Sequence, residues 1–229
     1  MLQVAWYCCR DLYRKNDTGI IYENMRKIIL YINSTFNGVV TGDPSKDKTN
    51  FIVWTSEAFM KAGSECALKT METVDTILLG RRTYEDLSRI EKWPSVKDWP
   101  GVSEVDLALG EKINNARKLV VTRNHQLGEL RWGEYEAPEK LMGDNIEQQI
   151  KDLKHSDGGD IVIFGSPTLV RSLTDANLID EFQIQVRPVV VNVGEHLFDG
   201  LKARKDFHLI DVKPLADGSI FLKYKPIKA

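Results

Sequence analysis

The stretch GGDIVIFGSPTLVRSL, residues 158–173, decides the fold class. Ile161–Phe164 is a short apolar run of strand length, Gly165 breaks it, and Pro167 suits the first turn of a helix, where its missing N–H is not needed. The same order of strand, glycine and helix occurs in VDTILLGRRTYEDLSRI (74–90), whose Tyr84, Leu87 and Ile90 are spaced to face inward. KLVVTRN (118–124) is a further strand and turn. Strands that alternate with helices in this way predict an α/β fold with a largely parallel sheet.

Outward from that stretch, KIILYIN (27–33) is apolar and β-branched nearly throughout, the pattern of a strand buried on both faces. It runs into STFNGVV (34–40), where Asn37-Gly38 is a turn signal, and GDPSKDKTN (42–50) reads as a loop. From Ser56 to about Met71, Phe59, Ala62 and Cys66 fall at helical spacing behind an N-cap serine, so Cys66 reads as a core residue. EFQIQVRPVVV (181–191) is a strand pair or bent strand, since Pro188 is rejected by central ladders. FHLIDV (207–212) and SIFLKY (219–224) flank Asp217-Gly218 and predict an antiparallel hairpin, so the sheet is mixed. The expected organisation is one domain over 25–229, preceded by a 24-residue appendage with three basic and three acidic residues and no signal-peptide pattern.

Composition narrows the function. The chain has 229 residues, 42 % hydrophobic and 28 % charged, ordinary values for a globular protein with a core of its own. The 31 basic and 33 acidic side chains give a net charge of -2, no footprint for a nucleic acid. Cys8, Cys9 and Cys66 make no disulfide framework, and His125, His155, His196 and His208 lack the short spacings of a zinc site. No apolar run reaches the roughly 18 residues of a membrane helix. The expectation is a protein of a reducing, cytoplasmic compartment that works on a small molecule, without metal, membrane or nucleic acid.

The candidate site lies at the strand-to-helix junctions, because ligands of open α/β sheets gather at the carboxyl ends of the strands. Gly80-Arg81-Arg82-Thr83 places a hydroxyl and two guanidinium groups at a helix start, an arrangement suited to phosphate or, on the plainer reading, to solvent. Phe164-Gly165-Ser166-Pro167-Thr168-Leu169 allows close approach of a ligand to backbone, or is an ordinary N-cap with Ser166 as the cap. Thr122-Arg123 would stand beside the first junction if the strands are neighbours. Two such turns and a basic strand end fit a dinucleotide, although GxGxxG and GxxxxGK[ST] are both absent.

In combination, KIILYINSTFNG, TILLGRRTYEDL, KLVVTRN, GGDIVIFGSPTLVRSL with NLIDEF, and RPVVVNVGEHLF resemble, in order and spacing, the dihydrofolate reductase superfamily, and within it the stand-alone relatives of the riboflavin-biosynthesis reductase domain (RibD C-terminal type). The resemblance runs from Met25 to about Pro226. It implies a three-layer α/β/α fold around a mixed, mostly parallel sheet with a C-terminal antiparallel hairpin, an NADPH-dependent reductase, and a homodimer. By the same resemblance, Gly80, Arg81, Arg82, Thr83, Thr122 and Arg123 would bind the adenosine side with its 2'-phosphate. Phe164, Gly165, Ser166, Pro167, Thr168 and Leu169 would hold the pyrophosphate, and Tyr31 and Ile32 would lie beside the nicotinamide. Substrate, a pyrimidine- or pterin-like heterocycle or a small carbonyl, would enter near Asn33, Asn37, Trp54 and Gln185.

Departures from the family's pattern bear on substrate. Where relatives carry SxDG, this chain has Ser34-Thr35-Phe36-Asn37-Gly38, an amide that cannot act as an acid or base. The later GxG is Asn192-Val193-Gly194, and Glu57 and Glu65 match no acid of the true dihydrofolate reductases. The readings carried forward are a reductase of a small heterocycle, the phosphoribosylamino-uracil reductase of riboflavin biosynthesis, and a ligand-binding protein of the same fold without turnover.

Overall fold

The computed structural model of the chain describes residues 13–15, 21–23, 25–41, 57–89 and 91–227. Its strands in chain order are β1 (Tyr13–Lys15), β2 (Ile21–Glu23), β3 (Ile28–Thr35), β4 (Val39–Thr41), β5 (Val74–Gly80), β6 (Arg117–Val121), β7 (Glu139–Leu141), β8 (Asp160–Ile163), β9 (Glu181–Arg187), β10 (Glu195–His196), β11 (Phe207–Pro214) and β12 (Ile220–Pro226). The helices are α1 (Glu57–Thr70), α2 (Arg81–Leu87), α3 (Glu104–Asn115), α4 (Ile146–His155) and α5 (Pro167–Asp175), with a 3-10 segment at Trp93–Asp98.

Eight strands form the main sheet in the order β11-β12-β9-β3-β8-β5-β6-β7. Every pairing from β9 to β7 is parallel, whereas β12 runs antiparallel to both β9 and β11. The sheet is therefore mixed and mostly parallel, with the C-terminal hairpin at one edge. β1 pairs antiparallel with β2 within the first 24 residues, and β4 pairs antiparallel with β10.

Alternation along the strands sends side chains into two apolar layers. Ile28, Leu30 and Ile32 of β3 join Ile161 and Ile163, the α4 residues Ile150 and Leu153, and Leu169, Val170 and Leu173 of α5. Tyr31 joins Ile77, Leu79, Val120 and Val162 with Cys66, Ala67 and Met71 from α1 and its end, Tyr84 of α2, and Leu109 and Ile113 of α3. Helices thus cover both faces, which is why the central strands read as continuous hydrophobic runs. β9 stops at Arg187, the residue before Pro188, as a central strand must. Gly194 (φ +132°) is held by close approach: a Cβ there would lie 2.4 Å from the Thr41 carbonyl oxygen of β4. One glycine of the family's GxG therefore persists for a backbone reason.

The strand order leaves an opening at the carboxyl end of β3. β8 pairs with β3 only as far as Leu30 opposite Ile163, whereas β9 stays paired through Thr35 opposite Arg187. Beyond Leu30 one edge of β3 thus lies past the end of its neighbour, the kind of crevice in which α/β sheets bind ligands.

Candidate active site

Tyr31 and Ile32, at the start of this opening, are buried, and Asn33 is the single exposed position of β3. The Tyr31 hydroxyl donates to the Gly63 carbonyl of α1 at 2.9 Å, and its ring packs edge-on against Phe164, the residue after β8, and tilted against Phe221 of β12. Burial pushes the phenol above its ordinary pKa, so Tyr31 keeps its proton and anchors α1 to the strand. Burial likewise raises the Cys66 thiol, which packs in the core.

The two glycine turns meet. β5 and β8 are neighbours, and the Gly80 N–H donates to the Gly165 carbonyl at 3.2 Å. Gly80 has ordinary extended dihedrals (φ -72°, ψ 153°), so glycine is required there by space: a Cβ would stand 2.3 Å from Ser166 Oγ and 3.0 Å from the Ser166 nitrogen. Gly165 has φ +115°, a region open to glycine, and a Cβ there would lie 3.1 Å from Thr83 Oγ1. The Gly165–Ser166 peptide is cis. Ser166 is the N-cap of α5 and Pro167 its first helical residue, yet the Ser166 side chain makes no capping hydrogen bond. Thr168 and Leu169 follow in the first turn, with Leu169 buried in the core.

Gly80 lies opposite Val121, so Arg82 and Arg123, each two residues further on, sit at the ends of neighbouring strands. Both are exposed and have no hydrogen-bond or ion-pair partner among the described residues. Arg81 instead binds Glu85 on its own helix at 2.6 Å. Thr122 is buried, and its Oγ1 accepts from the Asn124 N–H at 3.0 Å. The expected neighbourhood of Thr122-Arg123 and the Gly80 turn is therefore present in the sheet. Arg171 of α5 pairs with Glu195 and donates to the His196 carbonyl at 3.1 Å, which ties this helix to β10.

Of the residues expected near a substrate, Asn33 and Gln185 are in register on adjacent strands. Asn37 lies at the turn, where its carboxamide is engaged with backbone. Nδ2 donates to the Val191 carbonyl at 2.8 Å, and Oδ1 accepts from the Val191 N–H at 3.3 Å and from Thr35 Oγ1 at 2.9 Å. Donating and accepting toward one residue requires an amide, which accounts physically for Asn at this position. The geometry gives Asn37 a part in joining the β3–β4 turn to the segment after β9. Trp54, like Ser56, lies outside the described residues.

Beside Gln185, which the resemblance implies as a substrate residue, other polar residues of the cleft, Gln183, Arg187 and Ser219, gave no signal in the sequence reading. Gln183, Gln185 and Arg187 form the α1-facing side of β9, and all three are buried. Thr70 Oγ1 donates to Gln183 Oε1, and Gln183 Nε2 donates to Glu181 at 2.7 Å. Burial lowers the Arg187 guanidinium to about 10, against the attraction of Asp217. Gln185 Nε2 donates to Ser219 Oγ at 3.0 Å, and Ser219 Oγ donates to Asp217 Oδ1 at 2.6 Å. Asp217-Gly218 reads in sequence only as a turn, and its carboxylate is brought under α1 by the hairpin.

Comparison with known proteins supplies the family. The profile of the RibD C-terminal domain matches residues 26–221. Uncharacterized protein YyaP of Bacillus subtilis (strain 168) is 22 % identical over 209 residues, 87 % of this chain and 94 % of its own. Among solved structures, a pyrimidine reductase-like protein from Corynebacterium diphtheriae superposes with a TM-score of 0.61 at 12 % identity, covering 90 % of this chain and 94 % of that one. Dihydrofolate reductase from Enterococcus faecalis, complexed with NADP(H), gives 0.50 at 15 % identity over 88 % of this chain and 97 % of that one. The fold expected from the sequence, dihydrofolate reductase-like and mostly parallel, is the fold found.

Proposed function

We propose, because the chain belongs to the RibD C-terminal domain family, that it is an NADPH-dependent reductase of the riboflavin-pathway type acting on a C=N or C=O bond of a small heterocycle. The observation that carries this reading is the meeting of the Gly80 and Gly165 turns beside the open edge of β3. The missing Cβ atoms let the two turns close on each other, Gly80 against Ser166 and Gly165 against Thr83, which brings the N-terminus of α5 to the end of β5. The Ser166 hydroxyl, unused as a cap, stands at the N-terminus of α5, whose dipole favours an anion. These residues fit a pyrophosphate, and the exposed Arg82 and Arg123 fit a 2'-phosphate at the adenosine end.

On this reading Gly165, Ser166 and Thr168 would hold the pyrophosphate, Arg82 and Arg123 the 2'-phosphate, and Tyr31 and Ile32 would flank the nicotinamide. The bound dinucleotide supplies a hydride, as nicotinamide cofactors do. The protein's part is orientation. Tyr31, fixed by Gly63, Phe164 and Phe221, gives the cleft a rigid wall, and the exposed Asn33 lies where water and substrate both have access. Because the Tyr31 phenol stays protonated and engaged, it acts as a positioning residue.

Arg82→Ala and Arg123→Ala test the assignment in parallel titrations with NADPH and NADH. Loss of a charge-assisted contact, about 1.5–3 kcal/mol, weakens NADPH about ten-fold or more and leaves NADH nearly unchanged. Equal loss for both cofactors would show that neither residue reads the 2'-phosphate.

A second copy of the chain completes the proposal. The outer edge of the sheet is β11, an eight-residue strand paired on one side only. Leu209, Ile210 and Val212 on it and Ile220 on β12 are 42–50 % exposed. A long apolar edge is a template for pairing unless covered. Light scattering on the eluting protein should give a dimer that Val212→Lys dissociates, and a monomer for the wild-type chain would remove this part of the proposal.

A further inference from the structure

The helix that starts at the Gly165 turn carries one basic residue, Arg171, and that cation is already engaged. Arg171 stands three residues after Thr168, hence on the same face of α5, and its Nη2 lies 3.5 Å from Thr168 Oγ1. The same nitrogen pairs with Glu195 of β10, and Nη1 donates to the His196 carbonyl at 3.1 Å. Thr168 is exposed, and among the described residues its hydroxyl has no other partner. The ion pair is open to solvent as well, the Arg171 side chain being 18 % exposed and that of Glu195 34 %. A solute at Thr168 therefore reaches a guanidinium held by a carboxylate from another part of the chain.

Glu195 owes its place to backbone. β10 is two residues long, pairs with β4, and sets Glu195 opposite Thr41. Gly194, just before it, closes on the Thr41 carbonyl where a Cβ would not fit. Asp175, the one acid of α5, is turned to other work and accepts from the Lys202 N–H at 3.1 Å. Arg171 and Glu195 cancel while they are paired, so this face of the helix presents little net charge to an incoming anion.

We propose that Glu195 is an internal competitor for the anion bound at the Gly165 turn: it holds Arg171 until a diphosphate enters, then yields it to phosphate oxygens beside Thr168. The inference rests on the reading of that turn as the pyrophosphate site and adds the regulation of its affinity. The guanidinium suits both partners, since carboxylate and phosphate take the same forked pair of N–H donors. Binding thus exchanges one charge-assisted contact for another, and what Arg171 gains from the phosphate is reduced by what it loses from Glu195. A hydride carrier that leaves after each turnover needs such a limit, because tight binding is expressed mainly as slow release.

The test is calorimetric titration of the full chain with NADPH, NADH and inorganic pyrophosphate, on the wild type, Glu195→Gln, Glu195→Ala and Arg171→Met. Both Glu195 variants free the cation and should tighten all three ligands about ten-fold, the scale of one charge-assisted contact, with slower release of NADPH in stopped-flow displacement. Arg171→Met leaves the carboxylate alone and should weaken all three by a similar factor. The ratio of NADPH to NADH affinity stays at its wild-type value throughout, because the pair does not read the 2'-phosphate. A tie that merely braces α5 gives the opposite sign at Glu195, since its loss would loosen the helix and weaken binding. Thermal unfolding checks the fold of each variant, and either Glu195 variant suffices if the other fails to fold. Weaker or unchanged binding by a folded Glu195 variant overturns the proposal. The wild-type titration separates the two claims. Dinucleotide binding that the Glu195 variants do not tighten leaves the reductase and removes the competitor, whereas no binding of dinucleotide or pyrophosphate by the wild type removes the site and the competitor with it.

Discussion

Gly80→Ala isolates the contact on which the site depends. The backbone at Gly80 (φ -72°, ψ 153°) suits alanine, so without a collision the substitution would stabilise the chain by about 0.4–1 kcal/mol through the unfolded state. The collision reverses the sign. A methyl carbon at Gly80 would lie 2.3 Å from Ser166 Oγ, a contact the hydroxyl can relieve by rotating, but also 3.0 Å from the Ser166 nitrogen and Cβ, which no rotation relieves. The Gly165 turn must therefore shift, stretching the Gly80 N–H to Gly165 carbonyl bond of 3.2 Å. Overpacking of this kind costs about 1–3 kcal/mol, leaving a net loss near 1–2 kcal/mol. At about 2–4 °C per kcal/mol for a chain of this size, Tm should fall by several degrees in a thermal melt. The double variant with Ser166→Gly should recover part of the loss, because it removes the Oγ and Cβ contacts while the nitrogen contact persists. A Tm raised by Gly80→Ala alone would refute the packing of the two turns.

Three further outcomes follow from other parts of the molecule. Lys118 of β6 is 3 % exposed, donates to the carbonyls of Asn114 and Ala116, and lies over the Trp132 ring, and burial lowers its ammonium to about 8. From about pH 8 to the ordinary lysine range the unfolded chain holds a proton the folded one has released, so Lys118 makes stability rise with pH, by about 3 kcal/mol at most. Denaturant melts at pH 8 and pH 10 should show that rise in the wild type and lose it in Lys118→Met. Asn37→Asp sets a carboxylate against the Val191 carbonyl and should cost about 1 kcal/mol at neutral pH. The carboxyl, with its pKa raised in the fold, recovers that loss as acid protonates it, and a loss independent of pH would contradict the bond to Val191. Arg171→Met removes the tie from α5 to Glu195 and His196, an ion pair only partly exposed, and urea unfolding should register about 1 kcal/mol, whereas no change would show that the tie contributes nothing.

Much of the fold was legible because its strands are buried on both faces. β3, β5, β6 and β8 announce themselves as β-branched runs, and Gly80 and Gly165 mark where helices begin. α3 was missed although Ser103 and Asp106 form a capping box, because Gly110 interrupts its pattern. In the structure that glycine makes room for Val96, whose Cγ1 would lie 2.4 Å from a Cβ there. α4 was missed too, although Ile146, Ile150 and Leu153 are at helical spacing. β7, the edge strand Glu139–Leu141, has no apolar run to betray it.

The framework of the candidate site was legible where it depends on backbone freedom and obscure where it depends on distant neighbours. Glycine turns are local, and both were read. The use of Asn37 is decided by Val191, 154 residues away. EFQIQVR alternates like a strand half in water, yet its polar side lies under α1, because Thr70 and Ser219 supply partners that no local pattern discloses. Trp54 falls outside the described residues, so its expected place beside the substrate stays a sequence expectation.

The central claim, a dinucleotide held across the meeting of the Gly80 and Gly165 turns, is tested most directly by calorimetric titration of the wild-type chain with NADPH and NADH. Micromolar binding of NADPH with clear preference over NADH is the result the account predicts. No heat with either cofactor, together with no displacement by NADP, would contradict it and leave the ligand-binding reading of the same fold.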